Sequence, residues 1–120
     1  MNILVIDDKK DILFLVKTIL EMESYDVTTV NNGDEGIELC KENAYPIIFL
    51  DLMMEGKDGF ATLKEIRETK LNKKAYIIAL TAKAYESDKK EVVEKGFDDH
   101  FSKPFRATEI ITKVRNCLKK

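Results

Sequence analysis

The sequence has 120 residues, of which 44% are hydrophobic and 35% are charged. This length suits one domain with its own core and excludes two ordinary domains. The net charge of −2 gives no reason to expect a nucleic-acid or membrane surface. No apolar run approaches the roughly 20 residues that span a bilayer, and the N-terminus lacks a basic signal-peptide start. Cys40 and Cys117 have no metal-ligand spacing, so we expect a cytoplasmic protein with two reduced thiols.

The first half of the chain alternates between strand and helix patterns. Ile3–Ile6 is predicted to be a strand, and the apolar residues between positions 12 and 20 then recur at helical spacing. Asp26–Val30 is a second, β-branched strand. Asn31-Asn32-Gly33 predicts a turn before a weaker helical stripe that includes Cys40.

The second half repeats this alternation. Ile47–Leu50 is the third predicted strand, and Asp58 is predicted to cap a helix with an apolar stripe and with Arg67 facing water. A fourth strand precedes a helix lined by Val92 and Val93 and ended at Gly96. A fifth strand at positions 100–102 and a last helix complete one (βα)5 unit, so we predict that residues 1–120 form a single domain.

Strand polarity suggests the order of the sheet. The first, third and fourth strands are almost purely apolar, as expected of strands that helices cover on both faces. The second strand carries Thr28 and Thr29 and the fifth carries His100 and Ser102, so these two suit the edges. The flavodoxin-like order 2-1-3-4-5 satisfies this polarity. We therefore predict an α/β, doubly wound parallel sheet of the flavodoxin-like class.

Polar residues follow directly on four of these strands, and they are Asp7 and Asp8, Asp51, Thr81 and Lys103. Open α/β sheets bind ligands beyond the carboxyl ends of their strands. Crowded carboxylates repel one another unless a cation is present, and Mg²⁺ is the economical choice. Asp51, after the central strand, is the best candidate for a nucleophile that forms an aspartyl-phosphate. The residues therefore predict a site for a divalent cation and a phosphoryl group.

Five ordered motifs also give the chain a resemblance to a known family. They are Asp7-Asp8, Asp51 with Asp58-Gly59, Thr81-Ala82, Gly96-Phe97-Asp98-Asp99 and Lys103-Pro104-Phe105. Over essentially the whole chain, this set resembles the receiver domain of two-component response regulators in its single-domain, chemotaxis-regulator-like form.

The resemblance implies that Asp51 accepts a phosphoryl group from a phosphohistidine of a sensor histidine kinase or a histidine phosphotransfer protein. It implies a Mg²⁺ site, which another divalent cation such as Mn²⁺ could fill, made by Asp8, Asp51 and the backbone carbonyl of Met53. Asp7 would act largely through water. Such a protein promotes its own phosphorylation and dephosphorylation and is not a conventional turnover enzyme.

The same resemblance implies a switch. Lys103 would pair with the phosphoryl group, and its peptide bond to Pro104 would be cis. Thr81 would move toward the phosphoryl oxygen, and His100 would follow it inward. We expect output by docking of a downstream protein, with no direct nucleic-acid contact and with a monomer or weak dimer. A stand-alone regulator, which the N-terminal Met1 favours, a phosphorelay intermediate and a receiver of a hybrid kinase all stay open.

Some positions depart from the family pattern. Glu55 stands where the family usually has proline, and His100 stands where it usually has tyrosine or phenylalanine. Met53 and Lys83 occupy positions that tune hydrolysis of the acyl phosphate in the family. Because a methionine side chain does not orient an attacking water, we expect slow self-dephosphorylation.

Three alternative functions compete with a working receiver. A degenerate receiver would act only as a protein-interaction module, but the expected acids, hydroxyl and lysine are retained. A phosphatase of the haloacid dehalogenase type needs Asp-x-Asp at its nucleophile, where this chain has Asp51-Leu52-Met53. A flavodoxin-like FMN protein needs a Ser/Thr/Gly-rich phosphate loop, where this chain has an acidic pair that would repel phosphate.

Overall fold

The computed structural model describes residues 2–54, 58–81, 86–103 and 105–118. Within these residues, strands and helices alternate strictly. They are β1 Asn2–Ile6, α1 Lys10–Met22, β2 Asp26–Val30, α2 Gly33–Glu42, β3 Ile47–Asp51, α3 Gly59–Glu68, β4 Tyr76–Thr81, α4 Glu86–Glu94, β5 Asp99–Ser102 and α5 Ala107–Leu118. Glu55, Ala82, Lys83 and Pro104, and with Pro104 the predicted cis peptide, lie outside the described residues.

The strands form one parallel sheet in the order β2-β1-β3-β4-β5, which confirms the predicted order and the two predicted edge strands. The register aligns the carboxyl ends of the strands. Ile6 pairs with Leu50, Asp51 pairs with Leu80, and Thr81 pairs with Ser102. The residues that follow β1 therefore lie beside the end of β3, where the predicted site residues meet.

Helices cover both faces of the sheet, which explains why the central strands are apolar throughout. Val16, Ile19 and Leu20 of α1 pack with Ile110 and Val114 of α5 on one face. The other face carries buried side chains of α2, α3 and α4, namely Ile37, Cys40, Leu63, Ile66 and Val92. β1 and β3 are sandwiched between these layers, so the ends of these strands are held by a well-packed core.

Two predicted helix ends are confirmed. Asp58 caps α3, since its Oδ1 accepts a hydrogen bond of 2.8 Å from the Ala61 N–H. Gly96 follows α4 with a φ of +112°, a conformation that glycine adopts without the steric cost of a Cβ. At the predicted turn after β2, Asn32 caps α2 and Gly33 is already the first residue of the helix.

Two side-chain predictions were wrong. Val93 is 57% exposed, because the apolar face of α4 turns Val92 and not its neighbour toward the core. Arg67 is half-buried, and its guanidinium donates to the carbonyls of Ala75 and Gly96 and to Asp98. The planar, five-donor guanidinium allows these simultaneous bonds. No helix in the described parts of the chain has the length and apolar character needed to cross a membrane.

Candidate functional site

Three carboxylates meet beyond the ends of β1 and β3. Asp7 and Asp51 are buried, with 0% and 1% of their surface exposed, and Asp8 is half-buried beside them. One carboxylate oxygen from each of the three residues lies within 4.8 Å of the others. The parallel pairing of β1 with β3 produces this arrangement, because it ends the two strands side by side.

Local hydrogen bonds fix two of these carboxylates. The Lys9 N–H donates to Asp7 Oδ1 at 2.9 Å, and the Met53 N–H donates to Asp51 Oδ1 at 3.1 Å. In both cases an aspartate accepts from the backbone two residues further on, the local turn that this side chain favours. The loops after β1 and β3 therefore orient their own acidic side chains.

Lys103 brings a positive charge to the same place. Its Nζ lies 3.0 Å from Asp7 Oδ2 and 3.5 Å from Asp51 Oδ1, and its side chain is only 15% exposed. The Lys103 N–H donates to the Thr81 carbonyl at 2.7 Å, which extends the pairing of β4 with β5 by one residue. The sheet thus places Lys103 directly over two of the three carboxylates.

The environment disfavours a negative charge on Asp51. Burial raises the pKa of Asp51 to about 6, and the charge of Asp7 adds to this rise. The hydrogen bond from Met53 and the charge of Lys103 oppose the rise in pKa without cancelling it. A metal-free site therefore holds Asp51 in an unfavourable state near neutral pH, and a cation would relieve it.

Thr81 and His100 are placed differently. Thr81 is buried at the end of β4, and it lines a cavity of about 190 Å³ together with Leu52, Met53, Asp58, Phe60, Glu91 and Val92. His100 is half-buried in β5 and pairs in register with Ala79, whereas Thr81 pairs with Ser102. Its Nδ1 lies 3.9 Å from Asp99 Oδ1. The proposed inward movement of Thr81 and His100 stays a prediction.

The residues present fit a magnesium ion. Asp51 Oδ2 is buried and accepts no hydrogen bond from the described residues, so a buried carboxylate oxygen lacks a donor. Carboxylate oxygens of Asp7 and Asp8 lie within 4.8 Å of a carboxylate oxygen of Asp51, and hard cations such as Mg²⁺ take oxygen ligands. Asp8 and Asp51 are suited to hold the ion directly. The carbonyl of Met53 stays a predicted ligand.

The sequence reasoning missed one charged residue of the site. Lys9 is the N-cap of α1, and its Nζ lies 3.6 Å from Asp8 Oδ1. Asp8, followed by Asp51, raises the pKa of Lys9. A lysine at a position where helices prefer serine, threonine, aspartate or asparagine was the available signal, because lysine cannot accept the capping hydrogen bond.

Comparison with known sequences identifies the family of this fold and site. The model of the response regulator receiver domain matches residues 3–115. The transcriptional regulatory protein SrrA of Staphylococcus aureus is 40% identical over 119 residues, which is 99% of this chain and 48% of that protein. The chain therefore spans about half the length of the curated relatives it matches.

Solved structures agree with this result. The receiver domain of the Francisella response regulator 1452 is 34% identical, with a TM-score of 0.90 over 98% of this chain and 96% of that one. The receiver domain of the sensor histidine kinase PA1611 from Pseudomonas aeruginosa PAO1, whose structure has a magnesium ion coordinated in the active-site cleft, is 26% identical, with a TM-score of 0.90 over 99% of this chain and 98% of that one. Because the family model matches nearly the full length of the chain, the chain belongs to the response regulator receiver domain family.

Proposed function

We propose that this receiver domain accepts a phosphoryl group on Asp51 and thereby switches a protein-binding surface. The observation that carries the proposal is the state of Asp51: a buried carboxylate, with Oδ2 lacking a hydrogen bond from the described residues and with Lys103 Nζ 3.5 Å from Oδ1. An ordinary structural aspartate in a core would have its oxygens satisfied. A carboxylate kept in this condition is poised for a cation and an incoming electrophile.

The transfer forms a bond between a carboxylate oxygen of Asp51 and phosphorus. It breaks the bond between phosphorus and the donor atom, which is an imidazole nitrogen of a phosphohistidine, the acyl oxygen of acetyl phosphate or the nitrogen of phosphoramidate. The departing group keeps the electron pair. Asp8 and Asp51 would hold Mg²⁺, with Asp7 acting through water, and the ion would supply positive charge against the phosphoryl oxygens. Lys103, whose Nζ lies 3.5 Å from Asp51 Oδ1, would supply a second positive charge.

The product changes the balance of charge at the end of the sheet. A phosphoryl group adds roughly −1.5 to −2 charge and strong acceptor oxygens. Lys103, which now contacts Asp7 and Asp51, gains a stronger partner, and the hydroxyl of Thr81 gains an acceptor. Movement of Thr81 would change the cavity that it lines with Glu91 and Val92, and this would repack the adjoining part of α4. We propose that His100, which is half-buried in β5, follows this movement.

The partners we propose are a histidine kinase or histidine phosphotransfer protein as donor and a downstream protein as target. The relative from S. aureus is named as a transcriptional regulator, and one structural neighbour is the receiver of a sensor kinase. Receivers of this family thus serve proteins with different outputs. For this domain we propose docking to a protein, without direct contact to nucleic acid or a membrane, in a cytoplasmic setting.

The test is incubation with Mg²⁺ and acetyl phosphate or phosphoramidate, followed by intact mass spectrometry. The wild type should gain one phosphoryl group, and Asp51→Asn should gain none. Asp34→Asn is the matched control, because Asp34 is an exposed acid in the first turn of α2, outside the carboxylate cluster, and should leave labelling intact. Failure of the wild type to gain mass with either donor would favour a receiver that only binds partners.

A further inference from the structure

The local sequence at the start of α1 conflicts with helix chemistry. Lys9 occupies the N-cap and makes no side-chain capping bond, and Lys10 follows as the first helical residue. A helix N-terminus carries a partial positive charge, so two lysines there are unfavourable, and the cap itself lacks an acceptor for the free N–H groups. Local conflicts of this kind tend to occur where function overrides stability.

Two lysines compensate the negative charges of the three carboxylates, and each lysine has different partners. Lys103 is nearly buried and contacts Asp7 and Asp51 at 3.0 Å and 3.5 Å. Lys9 approaches Asp8 instead, at 3.6 Å, and its side chain is 57% exposed. The backbone N–H of Lys9 is bonded to Asp7, so the residue stays anchored while its side chain extends over the cluster.

The two lysines differ in how easily their side chains can move away from the carboxylates. Lys103 is held by the core around it, whereas the exposed side chain of Lys9 needs only a rotamer change to move into solvent. Together they reduce the formal charge of the three carboxylates from −3 to −1, and an added divalent cation would bring the total to +1. The positive charge of Lys9 is therefore useful without a metal and unfavourable with one.

We propose that Lys9 is a tethered, displaceable counterion of Asp8, which competes with the divalent cation and sets how tightly this receiver binds it. The inference rests on the proposed function, since it concerns the metal of the same site. It assigns a role to a residue whose chemistry neither holds the metal nor accepts the phosphoryl group. Lys9 thus acts through its positive charge, and it changes the affinity of the site for the metal ion.

The test measures Mg²⁺ binding to the unphosphorylated full chain by isothermal titration calorimetry, with the metal salt as the only probe. Because exposed ion pairs contribute at most about 1 kcal/mol, Lys9→Gln should bind Mg²⁺ about twofold to fivefold more tightly than wild type. Lys9→Arg keeps the charge and should stay near wild type. Lys10→Gln makes the same change in net charge one residue further on, and it should move the affinity less than Lys9→Gln does.

A second readout separates specific competition from general charge. Saturating Mg²⁺ should raise the melting temperature of Lys9→Gln by more than it raises that of wild type, because a tighter-binding ligand stabilises the folded state more. Equal Mg²⁺ affinities for wild type and Lys9→Gln would overturn the inference. An equal increase in Mg²⁺ affinity in Lys9→Gln and Lys10→Gln would also overturn it. The acetyl phosphate assay on Asp51 reports the proposed function separately, so labelling with unchanged Mg²⁺ affinities would reject the role of Lys9 alone. A wild type that neither binds Mg²⁺ nor accepts a phosphoryl group would reject both.

Discussion

Lys103 and Asp7 form an ion pair of 3.0 Å between Nζ and Oδ2, although 96 positions separate them in the chain. The pair joins the loop after β5 to the loop after β1, with β3 and β4 between them in the sheet. Asp7 is fully buried, so this contact compensates a charge that water does not reach. The stability of the metal-free domain and its proposed phosphoryl chemistry thus depend on the same lysine.

Replacement of Lys103 by methionine should therefore destabilise the metal-free protein. Removing one partner of a buried pair leaves the other charge uncompensated, and we expect a loss of about 2 to 4 kcal/mol in the free energy of unfolding. Urea denaturation in the presence of a chelator measures it. Lys41→Met is the matched control, because Lys41 forms an exposed pair with Glu38 and should cost less than about 1 kcal/mol. Saturating Mg²⁺ should restore part of the loss in the Lys103 variant, and equal losses in both variants would contradict the argument.

Asp51, in contrast to Lys103, should lower the stability of the metal-free domain, and this effect should depend on pH. Its pKa in the folded domain is about 6, above the ordinary 3.8, so the folded state binds more protons than the unfolded state between these two values. Stability then falls as pH rises through this window, and the penalty is complete above pH 6. A rise in pKa from 3.8 to about 6 corresponds to about 3 kcal/mol in the free energy of unfolding.

Asp51→Asn should therefore stabilise the metal-free protein by about 1 to 3 kcal/mol near pH 8, with the gain vanishing below about pH 4. Urea titrations across this pH range, with chelator present, measure the effect. Glu94→Gln removes an exposed acid and should change stability by no more than about 0.5 kcal/mol at any pH. Adding Mg²⁺ should narrow the gap between wild type and Asp51→Asn, because the metal binds the folded wild type more tightly. A variant with no advantage near neutral pH would refute the assignment of an unfavourable buried charge.

Much of the fold was predictable because it depends on patterns that are local. Strand and helix periods, the Asp58 cap and the stop at Gly96 are each set by neighbouring residues. Edge polarity identified the two edge strands and agreed with the order known for the flavodoxin-like class. The acidic cluster was predictable for a related reason: its residues lie at or just beyond the carboxyl ends of β1 and β3, and parallel strands end together.

What sequence reasoning missed depends on distant partners. Asn72 is fully buried and bonds through its amide to the carbonyls of Cys40 and Asn43 and to the N–H of Tyr45, about thirty residues away. Nothing in its own neighbourhood distinguishes it from a loop asparagine. Arg67 was assigned to solvent for the same reason, since its partners belong to the loops after α3 and after α4. Helical spacing predicts the face of the helix on which a side chain lies, but it does not predict which distant residues that face contacts.

Met53 should give the phosphorylated domain a long lifetime. Its side chain is 61% exposed beside the site, and its thioether is a poor hydrogen-bond partner for an attacking water. After removal of the phosphodonor, wild type labelled on Asp51 should lose the group over minutes or longer, as followed by intact mass. Met53→Glu places an acceptor at the same position and should shorten the lifetime, whereas Met53→Leu should not. Loss from wild type within seconds would show that another group activates the water.

Two glycines offer a matched test of how tightly α3 is held against β3. A Cβ at Gly59 would come within 2.6 Å of the Asp51 carbonyl oxygen and of Leu52 Cα, and these backbone atoms cannot yield without moving β3 or α3. A Cβ at Gly36 would come within 2.5 Å of Ile6 Cδ1, the mobile end of a side chain. Each glycine lies within a helix, where alanine has the better propensity.

Gly59→Ala should therefore cost about 2 to 3 kcal/mol of stability, whereas Gly36→Ala should cost less than about 1 kcal/mol because helix propensity offsets a small rearrangement of Ile6. Urea denaturation measures both. The Gly59 variant should also be phosphorylated more slowly by acetyl phosphate, since the displaced backbone is that of Asp51 itself, and the Gly36 variant should react at the wild-type rate. A Gly59→Ala protein with wild-type stability and labelling would mean that α3 can shift without moving the acceptor, and that the close packing of this helix does not position the site.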